Sequence, residues 1–184
     1  VLSAEVLGLI DRDFYSDDVL NNIGRGVMVL PVHEIESIFC DKEVVSYIAE
    51  CYFKDPETVW QGFHSTIKQE FQGKTLNNIV AQRVRARVGD LLDGVFDGRQ
   101  VEKGLEQTAD NHASRFSEIN IPTKIRSMFC EEEERVTSAI NGGGPEMLAI
   151  LPGKHLLSLL PRTLGLRDAG ELTGLVFRAL DQRY

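Results

Sequence analysis

The sequence predicts an α/β fold: a small, mostly parallel sheet interrupted by a helical insertion, helix-rich overall. Two short apolar runs, Val6-Leu7-Gly8-Leu9-Ile10 and Val27-Met28-Val29-Leu30, are too brief for helices and suit strands covered on both faces, as in parallel sheets. The segment between them carries a cap, Ser16-Asp17-Asp18, and a short helix over Val19 to Ile23 that Gly24 and Gly26 end, which has the economy of a right-handed βαβ crossover. From residue 41 onward, apolar residues recur at helical rather than strand spacing.

In chain order, Asp41 caps a helix from Lys42 to Phe53 whose stripe is Val44, Val45, Ile48, Ala49 and Tyr52. Asp55-Pro56 opens the next, because proline suits a first helical turn. Val59, Phe63, Ile67 and Phe71 run along it, and Gly73 ends it. Thr75 to Phe96 follows with Leu76, Ile79, Val80, Val84, Val88, Leu91, Leu92 and Val95 on one side. Its Arg83, Arg85 and Arg87 could meet a phosphate backbone, yet alternate arginines spread around a helix and read first as a solvated face. A polar helix is predicted over Val101 to Phe116, and another over Ile125 to Ile140. The latter contains Glu131 to Glu134, read as solvated because four successive residues point four ways. Asn141 to Pro145 forms a connector, and without a following Gly-Lys-Ser/Thr it is no nucleotide P-loop. Met147 to Leu151 is predicted as a third strand, Leu156 to Leu160 as a helix, and Asp168 to Tyr184 as an amphipathic helix packing back through Leu172, Leu175, Val176 and Leu180. The predicted organisation is an α/β core from residues 1–40 and 145–184, with residues 41–144 as the helical insertion.

Composition bounds the function. With 184 residues and 42% apolar content the chain can bury an ordinary core. A net charge of −8 and a pI near 5.0 argue against gripping nucleic acid by bulk charge, leaving a metal site or local basic face as the routes to it. Cys40, Cys51 and Cys130 are odd in number and lack metal-binding spacing, so a reducing cytoplasm is the expected home. No apolar run of membrane-spanning length occurs, and no membrane partner is expected.

Candidate chemistry gathers where the apolar runs stop. The first ends at Asp11-Arg12-Asp13, and the second leads through Pro31-Val32-His33 to Glu34 and Glu36. Ligands in open α/β sheets collect beyond the carboxyl ends of strands, and neighbouring strands lie about 5 Å apart, so the two acidic ends can share one pocket. Four carboxylates there, Asp11, Asp13, Glu34 and Glu36, would repel one another without a cation, and oxygen ligands favour Mg²⁺ or Mn²⁺ over zinc. The acids Glu34 and Glu36 also suit the first turn of a helix. His33 could be a ligand, but a lone histidine in a loop is more often structural or solvated, and that reading ranks first. Lys154, just beyond a short apolar run at a helix start, suits a phosphate partner as well as a surface turn.

The run ending in Asp11-Arg12-Asp13-Phe14, with Val29-Leu30-Pro31-Val32-His33-Glu34-Ile35-Glu36-Ser37-Ile38, resembles the metal-binding half of a Toprim domain. It is most similar to the prokaryotic OLD-type nucleases and related Toprim-like proteins that accompany ABC-type ATPases. Leu151-Pro152-Gly153-Lys154-His155-Leu156-Leu157 resembles their late Gly-Lys segment, and residues between the two pieces carry no resemblance. The resemblance implies a Toprim-like sheet and Mg²⁺-dependent (or Mn²⁺-dependent) phosphodiester cleavage, with DNA ahead of RNA as substrate, in a phage-defence or DNA-processing protein. Asp11 and Asp13 would hold the metal, Glu36 would be a further ligand or its support, and Lys154 would steady charge on the phosphate. An ABC-type ATPase and self-association are the implied partners. The Toprim glutamate of an earlier strand has no counterpart here, since Glu5 opens the same strand as Asp11; either it lies upstream of Val1 or this protein is not a nuclease.

Two other readings compete. A noncatalytic Toprim-like module would bind an ATPase through the helical insertion. A haloacid-dehalogenase-type phosphatase also opens on a strand ending in Asp-x-Asp. That family usually has Thr or Val where this chain has Tyr15, and its later acidic pair would have to be Asp90 and Asp93, in a helical pattern.

Overall fold

The computed structural model describes residues 8–15, 17–21, 23, 26–96 and 105–181. Helix dominates, around one small parallel sheet. Strand β1 (Gly8–Ile10) pairs with β2 (Val27–Val29) in parallel register, Leu9 opposite Met28. The intervening α1 spans Asp17–Asn21. The strand–helix–strand order is therefore the expected crossover, with Val6, Leu7, Ser16 and Gly24 of that expectation outside the described residues. The pairing continues one step beyond the strands, where Leu30 N donates to Ile10 O at 3.0 Å.

After β2 the chain enters a 3-10 helix, Ile35–Cys40, and then α2 (Lys42–Cys51), whose cap is Asp41, accepting from Glu43 N. Helix α3 (Pro56–Glu70) starts as the sequence dictates, with Asp55 accepting from Thr58 N and Pro56 in the first turn. Helix α4 (Gly73–Val95) follows after only two residues, and Gly73 opens it at φ 51° rather than merely ending α3. Then come α5 (Leu105–Glu118), α6 (Ile121–Gly142), α7 (Pro145–Ile150), α8 (Gly153–Leu164) and α9 (Ala169–Asp181). Val101 and its neighbours through residue 104, and the side chain of Leu180, lie outside the described residues.

The predicted third strand is wrong: Met147 to Leu151 forms α7 and its C-cap. Pro145 fits the first helical position, Glu146 favours the first turn, and Met, Leu and Ala are better helix than strand formers. A short, wholly apolar run does not distinguish a buried strand from a buried helix, and here local propensity decided.

One cluster of buried apolar side chains runs from Leu30 and Val32 through Cys40, Val45 and Ile48 of the 3-10 helix and α2, Phe63 and Ile67 of α3, and Val136 of α6, to Leu156, Leu160 and Leu172. Helix α8 packs on both the 3-10 helix and α3, which brings the late Gly-Lys segment against the loop after β2. The three cysteines are free, and burial pushes the Cys40 thiol up to about 12, so it is an inert core side chain. Among the described residues no helix is long and apolar enough to cross a membrane.

The expected solvated faces hold for Arg85, Glu131, Glu133 and Glu134, which are exposed, and need correction at Arg83 and Glu132. Helices α4 and α6 pack together, and Arg83 (7% exposed) and Glu132 (2% exposed) are sealed between them. Arg83 Nε meets Glu132 Oε2 at 2.6 Å, Arg87 Nη1 meets Glu132 Oε1 at 3.0 Å, and Arg87 Nη2 meets Glu131 Oε2 at 2.8 Å. Both Glu132 oxygens are thus matched by guanidinium donors, the condition under which a charge pair survives burial.

Candidate functional site

Two backbone hydrogen bonds assemble the site. Asp13 N donates to His33 O at 2.8 Å, tying the turn after β1 to the loop after β2. His33 N donates to Leu148 O at 2.7 Å, tying that loop to α7. Asp13 adopts φ 43°, a left-handed conformation that aspartate tolerates better than most non-glycine residues. This is the turn at which a chain carrying two carboxylates two residues apart escapes strand alternation.

Glu34 bridges from this loop to α8. Its Oε2 accepts from Lys154 N at 2.9 Å and its Oε1 lies 3.6 Å from Lys154 Nζ. Pro152, at the cap position of α8, offers no capping side chain, so a glutamate 120 residues away satisfies this N-terminal amide and complements the helix dipole. Glu36 Oε1 lies 3.9 Å from the same ammonium. The close approach depends on Gly153. A Cβ there would sit 2.5 Å from Ser37 Oγ, 2.6 Å from Ser37 N and 3.2 Å from Glu34 Cβ, so no larger residue fits without displacing backbone.

Asp13, His33 and Glu34 each offer a ligand atom, and these atoms lie within 4.8 Å of one another. The structure therefore brings Asp13, Glu34 and Lys154 together. Glu36 faces the lysine rather than this three-residue group. Asp11 is outside the group yet near enough for its charge to act on Asp13 and His33. Burial raises the Asp13 carboxyl above its ordinary value, the charges of Asp11 and Glu34 raise it further, and Lys154 opposes them. Asp90 and Asp93 lie within α4, with Asp90 at a surface hollow beside Arg115 and Glu118.

His33, ranked by the sequence as structural or solvated ahead of a ligand, sits inside the group. It is 1% exposed, packs edge-on to Phe14 with ring centroids 4.6 Å apart, and neither ring nitrogen has a hydrogen-bond partner among the described residues. Burial pushes its pKa down to about 4; Arg83 adds to the depression while Glu34 and Asp11 oppose it, and the ring is neutral at pH 7. The Ser37 hydroxyl is likewise buried without a protein partner. The available signal was adjacency: His33 immediately precedes Glu34 in the loop that receives both acidic strand ends.

Comparison with family models, curated proteins and solved structures finds no match to this chain.

Proposed function

We propose that this chain is a divalent-cation-dependent, Toprim-like domain that cleaves phosphodiesters, with DNA as its substrate. The convergence of Asp13, Glu34 and Lys154 carries the reading: two carboxylates and an ammonium from three separate segments meet at one place. The carboxylate set of Asp13 and Glu34, with Asp11 close by, fits a hard dication such as Mg²⁺ or Mn²⁺. Such an ion supplies Lewis-acid polarisation of a phosphoryl oxygen and activation of water.

The chain's own residues do the rest. Asp13 and Glu34 concentrate negative charge where the ion is needed, and their mutual repulsion is relieved on binding it. Lys154 is 72% exposed at its side chain, so its ammonium can reach a phosphate oxygen from its resting place beside Glu34 and Glu36 and stabilise charge building there. The net charge of −8 makes the ion and this lysine, rather than bulk attraction, the means of holding a polyanion.

Plasmid nicking by the full chain with Mg²⁺ or Mn²⁺ tests this. Removing one charge-stabilising donor costs about 10²–10³-fold in rate, so Lys154→Ala should lose that much, and Asp11→Ala should be impaired too. Equal cleavage by all three proteins, or none by wild type, rejects the reading. In the second case a noncatalytic module becomes the better one, favoured by the apolar side chains of Leu9, Val27 and Met28 that the small sheet leaves exposed.

A further inference from the structure

The four-carboxylate pattern treats the ion site as all-oxygen. The geometry adds a nitrogen. A buried polar ring costs free energy unless something satisfies it, and most buried side-chain polar atoms have a partner. His33 has none at either nitrogen among the described residues, although it lies in the same 4.8 Å group as the Asp13 and Glu34 carboxylates. Its backbone is fixed at both ends, through His33 O to Asp13 N and His33 N to Leu148 O, and Phe14 fixes the ring edge-on. That anchoring holds the ring in place for ligation; an ion would take one nitrogen, and the other would keep its buried N–H.

We propose that Asp13, His33 and Glu34 form a three-ligand centre for a first-row transition-metal dication, in which His33 supplies the nitrogen that discriminates against Mg²⁺. The inference rests on the cation site proposed above but not on the reaction assigned to it. Ligand atoms around such an ion stand roughly 3–4.2 Å apart at bond lengths near 2.1 Å, and rotation of the Asp13 and Glu34 side chains closes the difference from 4.8 Å. Imidazole suits Fe²⁺, Ni²⁺, Cu²⁺ and Zn²⁺ best; Mn²⁺ and Co²⁺ accept it more readily than Mg²⁺, which prefers oxygen and keeps its waters. Lys154 and Glu36 stand to one side of the group, the lysine bonded to Glu34, so the ion and the ammonium share one carboxylate.

The test is direct ion binding to the metal-free full chain, with pulsed EPR of the Mn²⁺-loaded protein as the second readout. Wild type should bind one Mn²⁺ or Co²⁺ at least about tenfold more tightly than Mg²⁺, and its Mn²⁺ spectrum should carry nitrogen modulation from one imidazole. His33→Leu should remain folded, lose the nitrogen modulation and lose the preference over Mg²⁺. Equal affinity for Mn²⁺ and Mg²⁺, Mn²⁺ bound without nitrogen modulation, or no ion bound at all would each overturn the proposal. If His33→Leu does not fold, the wild-type spectrum still decides. Nitrogen-ligated Mn²⁺ without nicking would retain this inference and reject the nuclease; Mg²⁺-dependent nicking without nitrogen modulation would do the reverse.

Discussion

Two clusters of buried ionisable groups, both among the described residues, are built on opposite terms. Between α4 and α6, Glu132 is sealed from solvent with each carboxylate oxygen matched by an arginine donor. At the end of the small sheet, His33 is sealed as completely, with neither ring nitrogen matched, beside two carboxylates and a residue at positive φ. A closed set of partners is what a structural brace looks like, whereas strain and unmatched polarity held in place by the surrounding fold mark a site prepared for something else. The same property, burial of a titratable group, therefore goes with a matched brace in one place and, on the reading proposed above, with ligand chemistry in the other.

The contrast can be broken most forcefully at the brace. Glu132→Ala leaves Arg83 buried and uncompensated and should cost about 3–5 kcal/mol in urea unfolding. Arg83→Met with Glu132→Leu should recover most of that loss, because the apolar pair removes the desolvation cost along with the attraction. If Glu132→Ala is no worse than a surface change, the brace is not one.

The next largest effect lies at the junction of the loop and α8. Gly153→Ala must push its methyl into Ser37 and Glu34, and should destabilise by about 1–3 kcal/mol while moving Lys154 away from Glu34. Thermal unfolding checks the first part and loss of nicking the second.

At the candidate site the sign reverses. His33→Leu removes a buried polar ring without protein partners, so the metal-free protein should be as stable as wild type or more so by about 1 kcal/mol. Asp13→Gly relaxes the positive φ and removes a carboxylate from like-charged neighbours, and should stay within about 1 kcal/mol of wild type while losing the ion. A large destabilisation by either would mean that these residues brace the loop.

The smallest effect concerns acid. Hydrogen bonds from Arg87 and then Ser127 lower the Glu131 pKa below 4.5 in the folded protein. The unfolded chain therefore takes up that proton first as pH falls, so the stabilisation is fully present above 4.5 and fades as pH drops through the folded value. Glu131→Gln should flatten that part of the acid unfolding curve and leave stability at pH 7 little changed, the pair being half exposed.

Much of this was legible in the sequence, for stated reasons. The crossover β1–α1–β2 was marked by apolar runs and glycines, and α2, α3, α4 and α9 by caps and period. The convergence of Asp13 with Glu34 followed from parallel strands that stop together. Met147 to Leu151 was misread because a fully buried run carries no periodicity. Glu132 was misread because a run of four acids shows nothing of the arginines that another helix, some 45 residues earlier, turns toward it. His33 ranks low as a ligand in the sequence because its distinguishing property, two buried nitrogens without a partner among the described residues, exists only in three dimensions.

The most direct test of the account is calorimetric titration of Mn²⁺ into the metal-free full chain and into Asp13→Gly. The account predicts one ion per wild-type chain and none, at the same concentrations, in the equally folded variant. No binding by wild type, or equal binding by both, would contradict it.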